Sequence, residues 1–158
     1  PGGRPTLNVI RPALLVGEYP TPADVPWLRD THGVTAVLCL QDDADLASKG
    51  LVLRQLEAAY RTHDVAFHRI PVPDGDDRHL IARLNDIVTL VAGLIDGGAR
   101  VYVHCNAGFN RAPTAAIAYL HVREGLALGA ARDIVKGCRP CVPYMRALEA
   151  HFGGCASR

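Results

Sequence analysis

Two stretches of this chain, VTAVLCL at residues 34–40 and VYV at 101–103, are apolar almost without a break and rich in β-branched residues. A strand with that pattern has no face to offer water, so helices must cover it on both sides, as they do in mostly parallel sheets. The intervening sequence supplies those helices. Residues 51–62 carry Leu53, Leu56 and Tyr60 at helical spacing. Residues 78–96 place Leu80, Leu84, Ile87, Leu90, Val91 and Leu94 on one stripe before Gly97 and Gly98 stop the helix. Three further helices are predicted over 111–123, 128–136 and 143–152. Near the N-terminus, LNVI (7–10) and ALLV (13–16) read as strands around a tight turn, Thr21-Pro22 opens a helix that ends near Gly33, and VAFHRI (65–70) is another strand. The prediction is one compact α/β domain spanning 1–158, with residues 1–6 flexible and a mostly parallel central sheet flanked by helices. Ligands of such sheets bind beyond the C-terminal ends of the strands.

The net charge of +1 lacks the broad cationic field that nucleic acids or anionic membranes attract, so neither is expected as a partner. No apolar run is long enough to cross a bilayer, and PGGRPT lacks the features of a signal peptide. Five cysteines (Cys39, Cys105, Cys138, Cys141 and Cys155) form an odd, irregular set, which points to a reducing compartment such as the cytoplasm rather than to a disulfide framework. Cys138 and Cys141 have the spacing of half a zinc site but no second ligand pair, and Pro140 and Pro143 mark a turn there. The acidic stretch QDDADL (41–46) lacks the spacing of a calcium loop and reads as a solvated turn. Trp27 and its neighbouring leucines read as the buried face of the first helix.

Directly behind VYV comes HCNAGFNRAPT, residues 104–114. A strand that turns at once into a helix aims several backbone N–H groups into one hollow, and the helix start adds partial positive charge. The N–H groups of Asn106, Ala107, Gly108, Phe109, Asn110 and Arg111 are therefore the expected phosphate ligands. The Arg111 guanidinium can add two parallel hydrogen bonds. The same N–H groups favour a thiolate at Cys105, which can attack phosphorus and form a cysteinyl-phosphate. A leaving oxygen needs a proton from outside the loop. Asp74, between Pro73 and Gly75 and just past the strand VAFHRI, is the candidate acid, with Asp76 and Asp77 as rivals; Asp77 reads equally well as the cap of the long helix. His104 is expected behind the loop as an orienting partner.

His followed by Cys-x5-Arg resembles the loop of the cysteine-dependent protein tyrosine and dual-specificity phosphatases. More narrowly, HCNAG followed by RAP is similar to the glucan phosphatases, the plant starch enzymes and laforin. IRPALLVG, TPADVPWLR, CLQDDADL and CRPCVP carry the likeness across roughly residues 7–150. The resemblance implies the compact dual-specificity phosphatase fold, no metal or other cofactor, and the roles given above to Cys105, Arg111 and Asp74. It implies a phosphorylated glucan or a phosphoprotein as substrate, and a plastid rather than the cytoplasm if a transit peptide has been removed; a monomer is expected. Phe109 is the aromatic best placed to stack on a sugar, with Tyr19 and Tyr144 as further candidates. Ala112 stands where most of the wider family has a Ser or Thr hydroxyl facing the thiolate, an alanine that the RAP-type enzymes share. The alternative is a binding module that reads phosphate without turning it over, against which the intact Cys, Asp and Arg count.

Overall fold

The computed structural model describes residues 3–153. Five strands, β1 (Leu7–Arg11), β2 (Leu14–Gly17), β3 (Ala36–Cys39), β4 (Ala66–Arg69) and β5 (Val101–His104), form one sheet in the order β1-β2-β5-β3-β4. All neighbours are parallel except β1 and β2, which pair antiparallel around their tight turn. Every residue of β2, β3 and β5 is buried, as expected for strands covered on both faces.

The covering helices are α1 (Val25–His32), α2 (Asp43–Ser48), α3 (Leu53–Thr62), α4 (Asp77–Asp96), α5 (Arg111–Glu124), α6 (Leu128–Cys138) and α7 (Met145–Phe152). Strand side chains alternate between the two layers. Ala36, Leu38, Val101 and Val103 join the core under α4–α7, while Val37 and Tyr102 join the one under α1 and α3. The β3 and β5 strands therefore end, at Cys39 and His104, with helices packed against both sides of the sheet.

Three sequence expectations need correction. QDDADL is not a solvated turn: Asp42 caps α2, its carboxylate accepting the Asp45 N–H at 2.8 Å while Asp45 accepts the Asp42 N–H at 2.9 Å. The cap of α4 is Asp76, which accepts the His79 N–H at 2.9 Å, rather than Asp77. On the first helix Leu28 is buried but Trp27 only partly, with the Arg4 guanidinium 5.6 Å above its ring; a 3₁₀ turn over Pro22–Asp24 precedes that helix. Residues 1 and 2 of the segment expected to be flexible, and Cys155, lie outside the described residues. Pro5 is buried, and Arg4 pairs with Asp24 at 3.1 Å.

Candidate active site

The loop from Cys105 to Asn110 joins β5 to α5, and each of its carbonyl groups is held by a partner outside the ring. Asn106 O accepts the Tyr19 N–H at 3.0 Å, and Phe109 O accepts the Val142 N–H at 2.8 Å. Arg139 takes the two between them, donating from Nη2 to Ala107 O at 2.8 Å and from Nε to Gly108 O at 2.7 Å. Asn110 O accepts from the Thr114 hydroxyl at 2.7 Å, and His104 Nδ1 lies 3.1 Å from Cys105 O. A trans amide points its N–H opposite its C=O, so six outward carbonyls turn the following six N–H groups, 106 to 111, toward the hollow. The Ala112 N–H reaches Cys105 Sγ at 3.5 Å.

Gly108 is required at the middle of this loop. Its φ is +65°, and a Cβ there would lie 2.5 Å from the backbone of Gly17 and 2.8 Å from Arg139 Nη2. The C-terminal end of β2, the loop and Arg139 thus meet at a point with no room for a methyl group. Arg139 also donates to Asn8 Oδ1 at 3.0 Å and Thr6 Oγ1 at 3.1 Å, so its buried fork ties β1 to the outer wall of the loop.

Cys105 is 2% exposed, at the floor of a cavity of about 50 Å³ lined by Asp74, Cys105, Asn106, Ala107, Phe109, Asn110 and Arg111. A larger cavity, about 540 Å³ beside Arg4, Glu18, Tyr19 and Asp24, lies off the loop, so size does not mark the reactive centre. Arg111 is 1% exposed, and its Nη1 donates to Asp45 Oδ2 at 2.6 Å and to Val72 O at 2.7 Å. Its Nε is buried with no protein partner, and Nη2 stands 3.6 Å from Asp74 Oδ1. Two N–H directions of the fork are therefore left for an oxyanion. Burial disfavours charge on Arg111, but Asp45, together with the facing Cys105 and Asp74, outweighs it and raises its pKa.

Asp45, like Arg139, carries no local motif signalling its role in the sequence. Burial pushes its carboxyl up, yet the Arg111 hydrogen bond, the Asp42 backbone N–H, the Arg111 charge and the Asn106 amide outweigh burial and hold it below its ordinary value. Asn106 donates to Asp45 Oδ1 at 2.8 Å and accepts from Gln41 Nε2 at 2.9 Å, so one network fixes both the first residue of the loop and its arginine. The available signal was positional: an acid next to a leucine just past the end of a central strand. His104 is fully buried, with its ring stacked on Tyr102 at 5.7 Å; burial lowers its pKa to about 4, so it is neutral at pH 7.

Of the three candidate acids, Asp74 lines the cavity, while Asp76 caps α4 and Asp77 begins that helix. Asp74 sits on the four-residue turn Pro73–Asp76, closed by the Asp76 N–H to Pro73 O at 3.2 Å, with Gly75 at φ +78°. Phe109 is exposed at the rim, and Ala112 is buried beneath Cys105. Tyr19 meets the loop through its backbone, and Lys49 covers its ring at 5.5 Å.

A cysteine and an arginine enclosed by inward amides, at the end of a parallel strand, define the class of cysteine-dependent phosphatases. Residues 16–150 match the family described as "Dual specificity phosphatase, catalytic domain". The chain belongs to that family. It is 35% identical over 146 residues to an amyloplastic phosphoglucan phosphatase of Castanea sativa, covering 90% of this chain and 39% of that protein. It is 26% identical over 144 residues to laforin of Mus musculus, covering 84% of this chain and 44% of that protein. The chain thus spans less than half the length of these relatives. The crystal structure of Tk-PTP in the active form superposes with a TM-score of 0.77 at 22% identity, over 92% of this chain and 95% of that one, a likeness of fold.

Proposed function

We propose that this domain hydrolyses phosphomonoesters in two displacements, with phosphoglucan as the substrate. Cys105 Sγ attacks phosphorus in line, the P–O bond to the leaving alcohol breaks, and Asp74 gives that oxygen its proton. Water then attacks the cysteinyl-phosphate, giving its proton to the Asp74 carboxylate, and the P–S bond breaks to release phosphate and restore the thiolate. The inward N–H groups and the free edge of Arg111 meet the charge on the equatorial oxygens at both steps. The observation that carries this reading is the outward satisfaction of all six loop carbonyls beside a buried, unpartnered Arg111 Nε.

A cavity of about 50 Å³ lined by the loop and Asp74 takes the phosphoryl group, so the rest of the substrate lies above it, against exposed Phe109. A sugar phosphate fits that shape, and the likeness to phosphoglucan phosphatases supports it. On this reading the chain works in a plastid, as the name of the Castanea sativa relative, amyloplastic, says of that protein. The test compares phosphate release from solubilised phosphorylated starch with release from phosphotyrosine and phosphoserine peptides. Faster release from starch is expected, and exclusive action on peptides overturns the glucan reading. Tungstate binding without turnover of any ester, by wild-type protein, favours a phosphate-reading module instead.

A further inference from the structure

The turn that carries Asp74 is held by little of its own. A Cβ on Gly75 would meet nothing within 4 Å, and Asp74 is 60% exposed, so packing does not fix the turn. Its contact with Arg111 Nη2, at 3.6 Å, is one that a bound phosphate competes for. The turn closes on itself through the Asp76 N–H and Pro73 O, and at its tip the contact to another element that phosphate leaves untouched is the Gly75 N–H, which donates to the Tyr144 hydroxyl at 3.2 Å.

Tyr144 is itself fixed to the phosphate loop. Its backbone N–H donates to Thr114 Oγ1 at 2.8 Å, and that hydroxyl donates to Asn110 O at 2.7 Å, the last carbonyl of the cradle. Thr114 and Tyr144 therefore form a chain from the end of the cradle to the turn bearing the acid. Burial pushes the Tyr144 phenol up from its ordinary value, so the oxygen accepts from Gly75 while keeping its own proton at neutral pH.

We infer that Tyr144 is a positioning residue for proton transfer, setting the acid-bearing turn against the phosphate cradle through its phenol oxygen and the Gly75 N–H. The inference rests on Asp74 being the general acid. It differs from a binding role for the ring, because the hydroxyl rather than the aromatic face does the work.

Tyr144→Phe keeps the ring and removes only the anchor. The measurement is kcat/KM on phenyl phosphate, whose leaving oxygen needs a proton, against dinitrophenyl phosphate, whose leaving group departs without one. Asp74→Asn is run beside it, and the thermal midpoint of each variant is recorded. Loss of one hydrogen bond is expected to lower kcat/KM on phenyl phosphate about five-fold. On dinitrophenyl phosphate the value should stay within about two-fold of wild type, with tungstate inhibition unchanged. An equal fall on both esters, or no fall on phenyl phosphate while Asp74→Asn shows the selective loss, overturns the role of Tyr144 alone. Absence of the selective loss in Asp74→Asn overturns the acid assignment and the inference with it.

Discussion

Replacing Asp45 by Asn keeps the shape of the side chain and removes its charge. The Asp45–Arg111 contact is 2.6 Å long between side chains 8% and 1% exposed, and the same carboxylate accepts from Asn106 and from the Asp42 backbone. Removing one partner of a buried pair costs about 3–5 kcal/mol. Asn still accepts one of these hydrogen bonds and Val72 O still holds Nη1, so a loss near the lower end, about 3 kcal/mol, is expected in urea unfolding at neutral pH. The freed guanidinium and Asn106 shift the cradle, so kcat/KM on an aryl phosphate falls about 10- to 100-fold. The pH dependence isolates the charge. The folded carboxyl has a lowered pKa, so its stabilisation is present above the unfolded value of about 3.9 and is lost as pH falls through the folded one. The stability gap between wild type and variant should therefore narrow only below about pH 4. A variant as stable as wild type at neutral pH, or a gap that stays constant down to about pH 3, refutes the reasoning.

Arg139→Met leaves Ala107 O and Gly108 O without their donor, so tungstate inhibition should weaken about ten-fold or more; an unchanged inhibition constant counts against the brace. Gly108→Ala must hold a methyl at φ +65° against Gly17, and should lose roughly 2–5 kcal/mol in chemical unfolding; a stable, active variant refutes the close approach. His104 has a folded pKa near 4 against about 6.5 unfolded, so the unfolded state takes up the proton first and stability falls as pH drops from about 6.5 to about 4. That fall amounts to roughly 2–4 kcal/mol, and its persistence in a folded His104→Asn variant assigns it elsewhere.

The parts of this domain readable from sequence are those whose signal is local. Cys105 and Arg111 stand six positions apart in one loop, and VYV before them fixes where that loop falls in the sheet. The helices with long apolar stripes, 53–62 and 77–96, show in the spacing of their leucines. The supporting residues are distant in the chain: Asp45 meets Arg111 across 66 positions, and Arg139 meets Ala107 across 32. Acidic clusters are usually solvated, so QDDADL looked ordinary, and only the fold reveals that one of its carboxylates turns inward. Tyr144 is similar: CRPCVPY signals a turn, while its contact with Gly75, 69 positions earlier, follows from how α7 enters the domain.

The proposed mechanism requires a covalent phosphoenzyme at Cys105, inside the ring of amides. Rapid acid quench during turnover of an aryl phosphate, followed by peptide mass mapping, tests it most directly. A phosphate is expected on Cys105 in the wild type and none in Cys105→Ser, which should lose turnover yet still bind tungstate. Full turnover with no adduct at residue 105, or turnover surviving in Cys105→Ser, contradicts it.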